Sequence, residues 1–177
     1  MQAKTNQDRL TPLSVKGIKR MAGSIKIITK EQLINDCKVT DVTENSFTRV
    51  RTLRKNKVRA GITYPTVMLQ KSESDPSLVA YMGLMVSLYN YTTKKYINMP
   101  FSKLRWIWEY GYCPDGVVID HIDTNPFNND LSNLRLFTNK QNSYNRKKWS
   151  KFRYSEVKGK TASEIKEMIK QKIKENK

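Results

Sequence analysis

The chain has 177 residues, 38% of them hydrophobic and 28% charged, with a formal net charge of +17. That length suits one ordinary domain or a small core with extended arms, leaner in core material than an average globular protein. No apolar run approaches a membrane span and Cys37 and Cys113 form no CxxC pair, which argues against a spanning protein, a disulfide framework and a structural zinc site.

Residues 1–60 carry a net charge of +9 and read as a basic N-terminal arm that contacts DNA. Its first ten residues, MQAKTNQDRL, lack the apolar stretch of a secretory signal. Thr29 is placed to cap a short helix over Lys30–Cys37, with Leu33, Ile34 and Cys37 on one side. The period then changes to that of strands, over Ser46–Leu53 and Val58–Ile62, separated by the polar turn Arg54-Lys55-Asn56-Lys57. Arg49 and Arg51 share one face of the first of these strands. That face is either an ordinary solvated one or a DNA contact.

Residues 61–139 are near neutral, with a net charge of −1. Tyr64–Lys71 and Leu78–Leu88 are the most apolar segments and read as core strands, with Tyr96–Met99 as a further one. Pro100 precedes a helix over Phe101–Tyr110, on which Leu104, Ile107 and Trp108 fall at helical spacing and Trp106 and Tyr110 lie on another side. Val117–Asp123 begins as a strand and delivers Asp120 and His121 side by side. His121 is the only histidine in the chain. The polar run 124–130 follows, then a second strand-like stretch over 131–137 and a helix from Asn139 to about Lys148, capped by Thr138. Adjacent strand residues point to opposite faces, so Asp120 and His121 share a site only if the strand ends or bulges there.

Residues 140–177 again carry +9. Trp149–Lys160 reads as a basic linker. Thr161-Ala162-Ser163-Glu164 matches a capping box and opens an amphipathic C-terminal helix, with Ile165, Ile169 and Ile173 on one row and Lys166, Lys170 and Lys174 on another. Two basic flanks around a neutral centre suit a protein that grips phosphates on either side of its chemistry; a ribosome-associated or merely soluble basic protein is the competing reading of the charge alone.

The chemistry itself rests on Asp120 and His121. A carboxylate is a hard ligand for Mg²⁺, and an imidazole is suited to taking a proton from water near neutral pH. Asn142, on the following helix, offers an amide oxygen as a further ligand. Phosphodiester hydrolysis needs such a base together with a cation on the phosphate.

The phrases DHIDTNPFNNDLSNLRLFT and NKQNSYNR, within residues 101–148, resemble the HNH nuclease family, and among its members the phage and intron-encoded homing endonucleases. The resemblance implies an α+β fold. Its centre would be a ββα-metal (HNH, or His-Me finger) core, with a small β-rich N-terminal part and a basic helical C-terminal extension. Residues 61–148 would be the nuclease domain, and 149–177 the linker and final helix.

Matched position by position, the resemblance makes His121 the general base and gives the metal to Asp120 and Asn142, with Asn145 as runner-up ligand. Asn133 would pin the hairpin loop, so that the chain is an HNN variant. The His-Arg pair that many relatives carry before the motif is replaced here by Ser102-Lys103. The implied cofactor is one divalent ion, Mg²⁺ or alternatively Mn²⁺, with no zinc. The implied partner is double-stranded DNA, gripped by Arg135, Arg146, Lys147 and Lys148 near the site and by Arg49 and Arg51 in the arm. A monomer is expected, working in the cytoplasm, which is that of a bacterial host if the chain is phage-encoded. The alternative is a catalytically inactive protein that binds nucleic acid through the same fold.

Overall fold

The computed structural model describes residues 28–52, 57–138 and 152–175. Within them the protein is mixed α+β, with more strand than helix. Helix α1 (Lys30–Asn35) opens with a capping box: Thr29 Oγ1 accepts from the Gln32 amide at 3.3 Å, and the Thr29 amide donates to Gln32 Oε1 at 3.1 Å. It ends at Asp36, short of the expected Cys37, and Lys38 takes up a left-handed φ of 59°.

Three antiparallel sheets follow. The first orders β1 (Val39–Val42), β2 (Phe47–Thr52) and β3 (Val58–Thr63); the second orders β4 (Thr66–Lys71), β5 (Val79–Asn90) and β6 (Lys95–Pro100). The third is the hairpin of β7 (Val117–His121) and β8 (Leu134–Thr138). Alternation along β5 sends Met82, Leu84, Val86 and Leu88 into the core, while Tyr81 and Ser87 face solvent.

Helix α2 (Phe101–Tyr110) lies against β1, β5, β6 and β7, so it joins all three sheets. It stops where Gly111 adopts a φ of 88° and its amide returns to the Ile107 carbonyl at 2.8 Å. Its inward row differs from the one the spacing suggests. Trp106 is buried with Phe101, Leu104 and Ile107, whereas Trp108 is only partly covered and carries Lys30 Nζ at 4.6 Å from its ring centroid.

One core runs through the described residues. Leu33, Val39, Val42 and Phe47 from the basic N-terminal segment belong to the same buried cluster as Leu104, Phe127 and Leu134. Residues 152–160, which read as a linker, are anchored to that core as well. Phe152 and Val157 are buried, Arg153 forms a β-bridge with Leu78, and α3 (Tyr154–Val157) makes a single turn. The final helix, α4 (Ala162–Glu175), buries Ile165 and Ile169. Its capping box is formed at Thr161, whose amide donates to Glu164 Oε2 at 2.7 Å. Both cysteines are free and buried, and burial pushes the Cys37 thiol up to about 11, so it is inert at neutral pH. Among the described residues no helix is long and apolar enough to cross a membrane.

Candidate active site at the end of the hairpin

The β7–β8 register sets the site. Asp120 lies directly opposite Arg135, and His121, the last residue of β7, lies opposite Leu134. The strand therefore ends where the acid and the imidazole are delivered. Beyond His121 the chain turns at once: the Thr124 amide donates to the His121 carbonyl at 2.9 Å, and Thr124 has a φ of 62°. That left-handed conformation is costly for a β-branched residue, and the Thr124 hydroxyl is also buried without a partner.

The loop between the strands is held by its own polar side chains. Asp123 is the hub: Oδ1 accepts from the Asn125 amide at 2.8 Å and from Asn133 Nδ2 at 2.9 Å, and Oδ2 accepts from Asn128 Nδ2 at 2.8 Å. Asn133 completes the tie. Its Oδ1 accepts from the Asp123 amide at 3.0 Å, and its Nδ2 also donates to the Asn128 carbonyl at 2.8 Å. Asn125, which is buried, accepts from the Phe127 amide at 3.1 Å and donates to the Lys166 carbonyl of α4 at 3.1 Å. Phe127 plugs the loop into the core. Asx-type bonding explains why so many Asn and Asp residues crowd one loop: each side chain replaces a ladder partner that the turning backbone has lost.

His121 is partly buried, and Nε2 faces Oδ1 of the fully buried Asn129 at 3.2 Å. With the amide oriented so, Nε2 donates and Nδ1 keeps the lone pair. Burial lowers the His121 pKa from its ordinary 6.5, against opposing pulls from the Asn129 hydrogen bond and from Asp123 and Asp120. The imidazole is therefore neutral at pH 7, the state a general base requires. Asn129 was not singled out by sequence reasoning; its only signal was membership of the Asn-rich loop.

Asp120 and Arg135 form an ion pair in which both Nε, at 2.8 Å, and Nη2, at 2.7 Å, reach the same carboxylate oxygen, Oδ2. Oδ1 has no hydrogen-bond partner among the described residues. The guanidinium also lies over the Phe137 ring, 4.1 Å from its centroid. Arg135, read as a DNA contact, thus has its charge directed at Asp120.

The other expected DNA contacts divide. Arg49 turns inward: Nη1 donates to the Ser87 carbonyl at 3.3 Å, bridging the first two sheets, and its Nε is buried without a partner. Burial and then the neighbouring Arg51 lower its pKa. Arg51 is exposed, donates to Thr63 Oγ1 at 3.0 Å, and stands directly across the β2–β3 ladder from Arg59. Asn142, Asn145, Arg146, Lys147 and Lys148 lie outside the described residues, as does the helix expected over Asn139–Lys148. The described residues hold no group of three or more His, Cys, Asp or Glu placed to bind a metal.

The sequence model of the HNH endonuclease family matches residues 103–144, a stretch running from α2 through the hairpin and its loop. That match supports assigning this stretch to the HNH endonuclease family. Outside the family comparison, the chain is similar to Protein 3.8 of Escherichia phage T7, with 47% identity over 77 residues. That match covers 42% of this chain and 62% of the phage protein, so the chain spans less than two thirds of its relative. No solved structure matches the chain.

Proposed function

We propose that this protein is a divalent-metal-dependent DNA endonuclease that hydrolyses phosphodiester bonds in double-stranded DNA in the manner of a site-selective homing enzyme. The observation that carries the reading is the neutral His121 at the end of β7, held by Asn129 and next in the strand to Asp120, one of whose carboxylate oxygens has no partner among the described residues.

The residues fit a hard cation: Asp120 Oδ1 is a carboxylate oxygen free of protein donors among the described residues, on a side chain that is 11% exposed. Asp120 and Asn142 would hold the ion, Mg²⁺ or Mn²⁺, which when bound polarises the phosphate and stabilises the leaving oxygen. His121 accepts a proton from the attacking water at Nδ1, while Asn129 keeps Nε2 occupied and the ring fixed. Asn133 and Asp123 brace the loop that follows the imidazole.

DNA is gripped by the basic flanks: Arg51 with Arg59 on the β2–β3 ribbon, and Arg146, Lys147 and Lys148 after the hairpin. Two arginines directly opposed across a ladder repel one another, and a phosphate relieves that repulsion. The T7 relative is consistent with a phage setting and a host cytoplasm.

Mapping cleavage ends on a random-sequence DNA library in Mg²⁺ tests the site-selective part of the reading. Clustered ends support it, and uniformly scattered ends point to a general nuclease instead.

A further inference from the structure

We propose that Arg135 is a built-in counter-cation for Asp120: it fixes the carboxylate by one oxygen, leaves the other for a divalent ion, and cancels enough charge that the ion is held firmly only when a DNA phosphate joins it. This rests on the assignment of Asp120 as a metal ligand made above.

The cross-strand register puts Arg135 and Asp120 face to face, so their pairing is set by the ladder rather than by a chance encounter of flexible side chains. Both guanidinium nitrogens converge on Oδ2, and the Phe137 ring restrains the plane from below. Arg135 and Asp120 are only 23% and 11% exposed, so solvent screens the pair weakly. A carboxylate held in this way keeps a fixed direction for Oδ1 but brings almost no net charge to an incoming ion.

The surroundings do not make up the deficit. Asp123, the nearest carboxylate in sequence, already accepts from Asn125, Asn128 and Asn133. No third acidic or imidazole ligand joins the site among the described residues. A hard divalent ion takes about six oxygen ligands and needs negative charge among them. Phosphate oxygens supply both. Metal loading is thereby tied to the presence of substrate, and the free protein carries little activated metal.

The test is Mn²⁺ binding, read by electron paramagnetic resonance on the full chain carrying His121→Ala so that DNA stays intact. It is measured with and without duplex DNA. The expected result is weak binding without DNA and at least about tenfold tighter binding with it, the scale on which a charge about 4–6 Å away shifts an ionic equilibrium. Adding Arg135→Gln should raise the DNA-free affinity about tenfold and shrink the effect of DNA, while Arg135→Lys, which keeps the charge, should stay near the parent.

The proposal is overturned if folded Arg135→Gln, checked by near-ultraviolet circular dichroism, binds free Mn²⁺ no more tightly than the parent. Should that variant not fold, equal Mn²⁺ affinity of the parent with and without DNA overturns it as well. Asp120→Ala, which leaves no side-chain oxygen at that position, separates the two levels: loss of the Mn²⁺ site in the presence of DNA supports Asp120 as ligand, and a retained site removes that assignment, whatever Arg135 does.

Discussion

Asn129→Leu separates the positioning of His121 from the stability of the fold. Asn129 is fully buried, its Oδ1 meets His121 Nε2 at 3.2 Å, and its Nδ2 is buried without a partner. Leucine has a similar size and no polar atoms. The substitution removes one neutral hydrogen bond, costing about 1 kcal/mol, and leaves the imidazole N–H unpaired at a further cost of about 1–3 kcal/mol. It also removes the orphaned amide, which returns about 1–3 kcal/mol. The terms nearly cancel, so the unfolding free energy should move by less than about 1.5 kcal/mol.

Catalysis should not be spared. Without the amide oxygen, nothing holds Nε2 as the donor, and both imidazole tautomers become populated. A fall in cleavage rate of about tenfold or more is expected, equivalent to at least 1.4 kcal/mol in the barrier. The assays are urea unfolding, plasmid cleavage, and ¹⁵N resonances of the imidazole, which are unambiguous because the chain has a single histidine. The reasoning is refuted if cleavage is unchanged, or if the natural protein shows the Nδ1–H tautomer.

Burial lowers the His121 pKa, so the acid limb of the cleavage rate should fall below pH 6.5. The same depression links to stability: the unfolded chain takes up this proton first, so stability falls as pH drops below 6.5 and levels off below the folded-state value. A natural protein and His121→Asn with parallel stability curves through that window would contradict it. Thr124→Gly relieves a positive φ and deletes a buried unpaired hydroxyl, and should raise the unfolding free energy by about 1 kcal/mol; a lower midpoint in urea would refute the strain argument. DNA binding should weaken steeply with salt, and Arg51→Ala or Arg59→Ala should each reduce the slope of log affinity against log salt by about 1. Arg49→Ala should leave that slope alone and lower the melting temperature, because Arg49 ties two sheets together. A flat salt response would remove the two-flank picture of binding.

Local signals were legible where they act within a few residues. The caps at Thr29 and Thr161, the helix after Pro100 and the strand–loop–strand around Asp120-His121 all depend on neighbours within about twenty positions. Signals set by distant partners were not. Arg49 shares a strand face with Arg51, yet only the Ser87 carbonyl, 38 residues on, decides that it turns inward. Residues 152–160 look like a basic linker until Leu78 pairs with Arg153 and Phe152 enters the core. Trp106 and Trp108 differ in burial because α2 touches three sheets, which helical spacing alone does not register. At the site, the Asp-His pair stood out in the sequence, whereas the contact of Asn129 with His121 was hidden among four asparagines of one loop, residues 122–133. The Asp120–Arg135 pairing needed the hairpin register, and residue spacing did not supply it.

Relaxation of supercoiled plasmid DNA in Mg²⁺ tests the central claim most directly, comparing the natural chain with His121→Ala at matched DNA binding. The account predicts cutting by the natural chain, its loss on adding chelator, and a fall of at least about a hundredfold in His121→Ala, within the range general-base catalysis contributes. Equal cutting by both proteins, or none by either across Mg²⁺ and Mn²⁺ while DNA binding persists, would contradict it and leave a nucleic-acid-binding protein built on the same fold.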